Sequence, residues 1–141
     1  MLIDMAKSTL VSGIAMLVVA CGALRHADAA TGPDAVMLTL ADLKWIENPE
    51  RPGTWQAAAE GDPDTGPAHF YTRYAKGYAG GLHSHTSDHG GWIIAGTVIL
   101  VIDGKETRLP PGAFYFVKGG KPHIARCDPG DECIMTVDVR G

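Results

Sequence analysis

Three of the chain's six histidines, His83, His85 and His89, fall within seven positions of one glycine-rich stretch, 77–96, which reads GYAGGLHSHTSDHGGWIIAG. Alternate residues of an extended strand project from one face, so a strand there sends the imidazoles of His83 and His85 to the same side. A helix would point residues two apart in different directions. The surroundings favour strand: glycine on both sides, then the apolar, β-branched run TVILVI after Gly96. Two imidazoles on one face are half a chelate, because neutral imidazole is the commonest metal-ligating side chain. His89, four residues on, keeps the same parity if the intervening turn returns the chain in register. A further donor has to come from another segment, and His123 in GGKPHIAR is the obvious one.

The rest of the chain fits a β scaffold for such a site. Eighteen glycines and nine prolines beside 45% hydrophobic residues describe a turn-rich chain that still has material for a core. The sequence divides into roughly ten short strands separated by turn signals, the pattern of a sandwich or barrel. Strands are expected at 36–40, 54–60, 69–76, 97–102, 105–109, 113–117, 123–127 and 133–139, with a short extended piece at Trp45 and Ile46. Asp103-Gly104 supplies a hairpin turn and 61–67 a loop. A length of 141 residues suits one domain. A net charge of -4, with no long run of like charge, argues against a nucleic-acid footprint.

Residues 1–29 read as an N-terminal signal segment and not as part of the domain. Lys7 supplies the positive end, 10–24 is an apolar run without charge, and a polar stretch then ends in A-x-A at Ala29. The apolar run is short of the roughly 20 residues that span a bilayer as a helix. Two outcomes fit: cleavage after Ala29, or lipidation at Cys21, since Val18-Val19-Ala20-Cys21 is similar to a lipoprotein box. Both place the protein in the periplasm or outside the cell. Cys127 and Cys133, separated by the turn Asp-Pro-Gly-Asp-Glu, then have two fates. They form a disulfide across a hairpin in an oxidising compartment, or Cys127 points inward as a thiol beside the metal.

Gly77, five residues, His83-x-His85, three residues, His89, six residues and Gly96 resemble the first motif of the cupin superfamily, which usually has Glu where this chain has His89. The second family motif is Gly, five residues, Pro, four residues, His, three residues, Asn. Gly112 and His123 meet it, while Lys118 and Cys127 stand in place of its Pro and Asn. The resemblance implies an all-β fold, the conserved double-stranded β-helix (jelly-roll) barrel, occurring once over 30–141. It implies a divalent transition metal (Fe, Mn, Zn, Ni or Cu) held by His83, His85, His89 and His123. Four imidazoles bring no negative charge, so the ion stays dicationic and should attract an anionic or enolate-like ligand. The function expected is a metal-dependent, oxygenase-like enzyme acting on a small organic molecule. The alternatives are a non-catalytic binder of a metal or small molecule, and a metal-assisted isomerase or lyase acting on a sugar acid. The partners are a small-molecule ligand and, because cupins often dimerise through sheet edges, a second copy.

Other residues carry less. Arg73, Tyr71 and Tyr115 either line the barrel mouth, where they would hold a carboxylate or polarise an oxygen, or lie on a solvated outer face. Asp88 either orients a ligand from behind or sits in solvent. Trp92 and Phe114 read as packing residues, and Arg126 should point outward. The chain has no phosphate-binding glycine loop, nucleophile elbow or paired catalytic carboxylates.

Overall fold

The computed structural model describes residues 34–140; the expected signal segment at 1–29, with Cys21 and His26, lies outside them. The described residues form nine strands: β1 (Ile46–Glu47), β2 (Thr54–Gly61), β3 (Ala68–Tyr74), β4 (Asp88–Ala95), β5 (Val98–Ile102), β6 (Lys105–Leu109), β7 (Phe114–Val117), β8 (Ile124–Cys127) and β9 (Cys133–Arg140). They build a six-stranded sheet, β1-β2-β3-β9-β4-β7, and a three-stranded sheet, β6-β5-β8. Every pairing is antiparallel. Isolated bridges from Ala79 to Arg126 and from His83 to His123 lay residues 79–83 along the free side of β8. The result is an all-β sandwich, as the strand pattern called for, with the jelly-roll-like layout that the resemblance implied.

Period-2 patterning selects the inner face of each strand. On β7, Tyr115 and Val117 are buried while Phe114 and Phe116 are exposed. On β4, Ile93 is buried between exposed Trp92 and Ile94. Val98 and Cys127 from the smaller sheet meet Ile93, Cys133 and Met135 from the larger one, and this contact is the core. The β5–β6 hairpin closes through Asp103 and Gly104, with φ of 51° and 76°. Two positive φ values match the right-handed twist of the paired strands, which is why this Asp-Gly turn works.

Between β4 and β9 the ladder opens locally. Gly90 pairs with Asp138 and Ile93 with Met135, but Gly91 and Trp92 have no partners in between. The freed groups are satisfied from side chains: Trp92 N–H donates to Thr136 Oγ1 at 2.8 Å, and the Tyr115 hydroxyl donates to the Thr136 carbonyl at 3.0 Å. A Cβ on Gly91 would lie 2.0 Å from that carbonyl oxygen, so only glycine fits here.

Two expectations need correction. Residues 36–40 form no strand; Met37 is 89% exposed, and the segment ends in a 3-10 turn, Leu40–Asp42. Its apolar, β-branched composition is a local preference, and a strand also needs a neighbour's unpaired edge. The cysteines do pair, but not across a hairpin. Cys127 on β8 lies opposite Val98, and Cys133 on β9 lies opposite Tyr74, so the bond joins the two sheets at one end of the sandwich. Cys127 is therefore no thiol beside a metal. Closing so short a loop stabilises by ~2 kcal/mol. Cys133→Ser should lower the melting temperature by roughly 10 °C. A calorimetric scan gives the shift, and reductant should reproduce it in the unmodified protein.

Candidate metal centre

The four histidines of the sequence motifs come from two pieces of chain that the backbone ties together. His83 and His123 exchange a reciprocal pair of hydrogen bonds, His83 N–H to the His123 carbonyl at 3.0 Å and His123 N–H to the His83 carbonyl at 2.8 Å. Gly120 N–H donates to the His85 carbonyl at 2.7 Å, and Gly119 N–H donates to Asp88 Oδ1 at 2.8 Å. Asp88 thus clamps the turn before His123 onto the start of β4; it neither sits free in solvent nor touches an imidazole through a hydrogen bond. The strand expected through His83 and His85 is reduced to the single bridge at His83, and His85 lies in an irregular turn. Glycines flank the pair closely, and glycine leaves extended backbone weakly favoured.

The side chains nevertheless converge. One nitrogen from each of His83, His85 and His123 lies within 4.8 Å of the others. The ring of His83 is 4.4 Å from that of His123 and 5.1 Å from that of His85. His89, entering from β4, is outside this donor set, although its ring is 4.4 Å from His85 and 5.3 Å from His123. His89 and His123 are buried, and His85 is open to solvent.

The backbone sets the tautomers of two rings. His83 Nδ1 is 2.9 Å from the Gly81 carbonyl oxygen, and His123 Nδ1 is 2.9 Å from the Lys121 carbonyl oxygen. A carbonyl only accepts, so each Nδ1 carries the proton and each neutral ring keeps its lone pair on Nε2. That is the arrangement by which a backbone carbonyl orients a metal-ligating histidine. His89 Nδ1 is buried without a hydrogen-bond partner; the Ser87 backbone lies close but misses hydrogen-bond geometry. Although one side of the His85 ring is open to solvent, partial desolvation on its cavity side, then the neighbouring His89, His83 and His123, push it down to about 4. Burial also lowers His89 and His123, the latter against the Lys121 carbonyl, which favours a proton on its ring. A set of neutral imidazole donors fits a divalent transition metal such as Zn, Fe, Ni or Cu.

The histidines line a cavity of about 310 Å³ between the sheets. Thr54, Gln56 and Thr72 give it a polar wall on β2 and β3, while Leu100, Met135 and Val137 give an apolar one on β5 and β9. Of the secondary candidates, Tyr115 lines this cavity, but its hydroxyl is committed to Thr136, and burial raises its pKa well above the ordinary tyrosine value. It is no free acid or base. Arg73 faces the outside, its guanidinium 4.9 Å from the Trp45 ring and 4.5 Å from the Trp55 ring. Tyr71 shares that outer parity, and Arg126 pairs with Glu106 outside the smaller sheet. Trp92 and Phe114 pack on each other at 5.0 Å on the exposed face. Arg51, between β1 and β2, lines the cavity without any signal in its Asn-Pro-Glu-Arg-Pro-Gly context having pointed there.

Residues 70–139 match the family model described as the cupin domain. This segment is a cupin domain. No curated protein matches the chain in sequence. Among solved structures, the chain is similar to KdgF from Halomonas sp., with 19% identity, a TM-score of 0.60 and coverage of 76% of this chain and 96% of that one. It is also similar to the polyketide cyclase RemF from Streptomyces resistomycificus (21% identity, TM-score 0.64, coverage 74% and 78%). A predicted oxalate decarboxylase from Thermotoga maritima resembles it too (14% identity, TM-score 0.62, coverage 74% and 98%). At these identities the likeness concerns the fold.

The depressed imidazoles make a pH prediction for the metal-free cupin. Unfolded histidine titrates near 6.5, so between there and about 4 the unfolded chain binds protons that the folded cluster refuses. Stability is full above the unfolded value and is lost as pH falls through the folded one. Thermal melts of chelator-treated protein should therefore fall steadily from pH 7 to pH 4. In His85→Asn the decline should be shallower.

Proposed function

We propose that this chain is an exported, metal-dependent cupin enzyme that acts on a small organic molecule at a centre formed by His83, His85, His89 and His123. The convergence of His83, His85 and His123, with two Nδ1 atoms engaged by backbone carbonyls, carries the reading. The buried His89 ring, 4.4 Å from that of His85 and 5.3 Å from that of His123, supports a fourth ligand. A divalent metal, when bound, supplies Lewis acidity and coordination positions open to substrate. The imidazoles hold it without adding negative charge, and the two walls of the cavity orient a ligand with a polar and an apolar side.

An oxygenase-like reaction is the reading preferred over a sugar-acid isomerase or lyase, for a reason visible in the lining. Among the described residues, Asp64, on the loop between β2 and β3, is the only carboxylate bordering the cavity. Proton abstraction would thus fall to that solvent-exposed loop carboxylate, to a histidine already engaged in the cluster, or to Tyr115, whose hydroxyl is occupied. The fold relatives include a polyketide cyclase and a predicted oxalate decarboxylase, which supports small organic substrates for this architecture. The free edge at β7, flanked by exposed Trp92, Phe114 and Phe116, supports a homodimer.

Metal analysis tests the centre. His123→Ala should abolish stoichiometric metal in purified protein, and His89→Ala should weaken affinity at least tenfold while leaving some metal bound. Unchanged metal in His123→Ala would sink the proposal. Export rests on the sequence at 1–29 and on the disulfide, which suits an oxidising compartment. Intact mass of the exported protein should correspond to cleavage after Ala29; an added diacylglycerol at Cys21 would instead mark a lipid-anchored form.

A further inference from the structure

We propose that Arg51 anchors the carboxylate of a small organic acid with an apolar body, held in the cavity beside the histidine cluster; this names a ligand class for the centre proposed above and rests on that reading. Arg51 borders the main cavity and also an adjoining one of about 270 Å³, and the two share Tyr74, His83 and Ala125. An anion on its guanidinium therefore lies on the His83 side of the cluster.

The guanidinium is also unclaimed. Among the described residues, Arg108 pairs with Asp128, Arg126 with Glu106 and Arg140 with Asp138, and Arg73 stacks between two tryptophans, but no acidic side chain pairs with Arg51. Asp64, the one carboxylate on the cavity among the described residues, lies on the loop beyond the far end of β2, and no ion pair joins it to Arg51. A planar guanidinium presents two parallel N–H groups to a carboxylate, which makes it a better match than a point charge.

The rest of the cavity restricts the body attached to that carboxylate. Among the described residues Arg51 is the only Arg or Lys on the lining, so a second anionic group would find no side-chain cation. Leu100, Met135, Val137 and Val139 form an apolar surface suited to a ring or short chain. The volume, about 310 Å³, is at the small end for ligand sites. The class that fits is a monocarboxylate with a compact hydrophobic part.

Isothermal titration of zinc-loaded protein with benzoate and phenylacetate, each against its neutral amide, tests this. The acids should bind at least tenfold more tightly than the amides. Arg51→Gln should remove that preference without changing zinc stoichiometry, and Arg51→Lys should restore part of it. The side chain lies outside the core, so circular dichroism and melting temperature should match wild type. Equal binding of acid and amide, no binding of either acid, or acid affinity unchanged in Arg51→Gln would overturn the proposal. Zinc stoichiometry keeps the two readings apart. Arg51-dependent acid selectivity without bound zinc removes the metal centre and leaves the anchor; bound zinc without acid selectivity does the reverse.

Discussion

The reciprocal hydrogen bonds between the backbones of His83 and His123 are the contact on which the site depends. They join segments 40 positions apart (123 − 83) and set both side chains on one side of a single bridge. Once that bridge is made, neighbouring bonds extend along the same path. Gly120 reaches the His85 carbonyl, and Asp88 receives Gly119, so the turn before β8 is sewn to the approach to β4. The carbonyls left over at Gly81 and Lys121 are then within reach of the ring nitrogens and orient them. Backbone hydrogen bonding, which any sequence could supply, thus fixes a feature that only histidine can use.

Burial does the remaining electrostatic work. The cluster lies between two sheets whose core includes Ile93, Val98 and Met135, and transfer out of water disfavours an imidazolium there. Four rings within a few ångströms also repel one another's positive forms, as His85 shows. Both effects disfavour a proton on His85, and burial does so on His89 and His123; the neutral ring is the state that binds a cation. The disulfide and the Gly91 gap hold the walls in place. One ties the sheets together at the end where Cys133 and Tyr74 pair, and the other lets the Tyr115 hydroxyl reach the Thr136 carbonyl on β9.

Much of this was legible in the residues alone. Asp103-Gly104 announced its hairpin because two positive φ values suit that dipeptide. The expectation for 36–40 failed because apolar, β-branched composition is a property of the segment, whereas pairing is a property of its neighbours. Arg73 and Arg51 illustrate the same limit in the site. Arg73 lies on a strand whose parity can be read, yet the two tryptophans that hold it outside come from β2 and the segment before β1. Arg51 lies in a turn, where no periodicity tells which way a side chain reaches.

Local conformational preference and short chain separation were enough to set most of the strand inventory, the turns, the four histidines at motif spacing and the nearness of the two cysteines. Packing across the sandwich settled the rest: Cys127 and Cys133 join different sheets, His83 and His123 share a bridge, and Arg51 borders the cavity with its charge unmatched. These features depend on which edges meet once the core has formed. Such meetings involve residues far apart along the chain, and no single stretch of it encodes them.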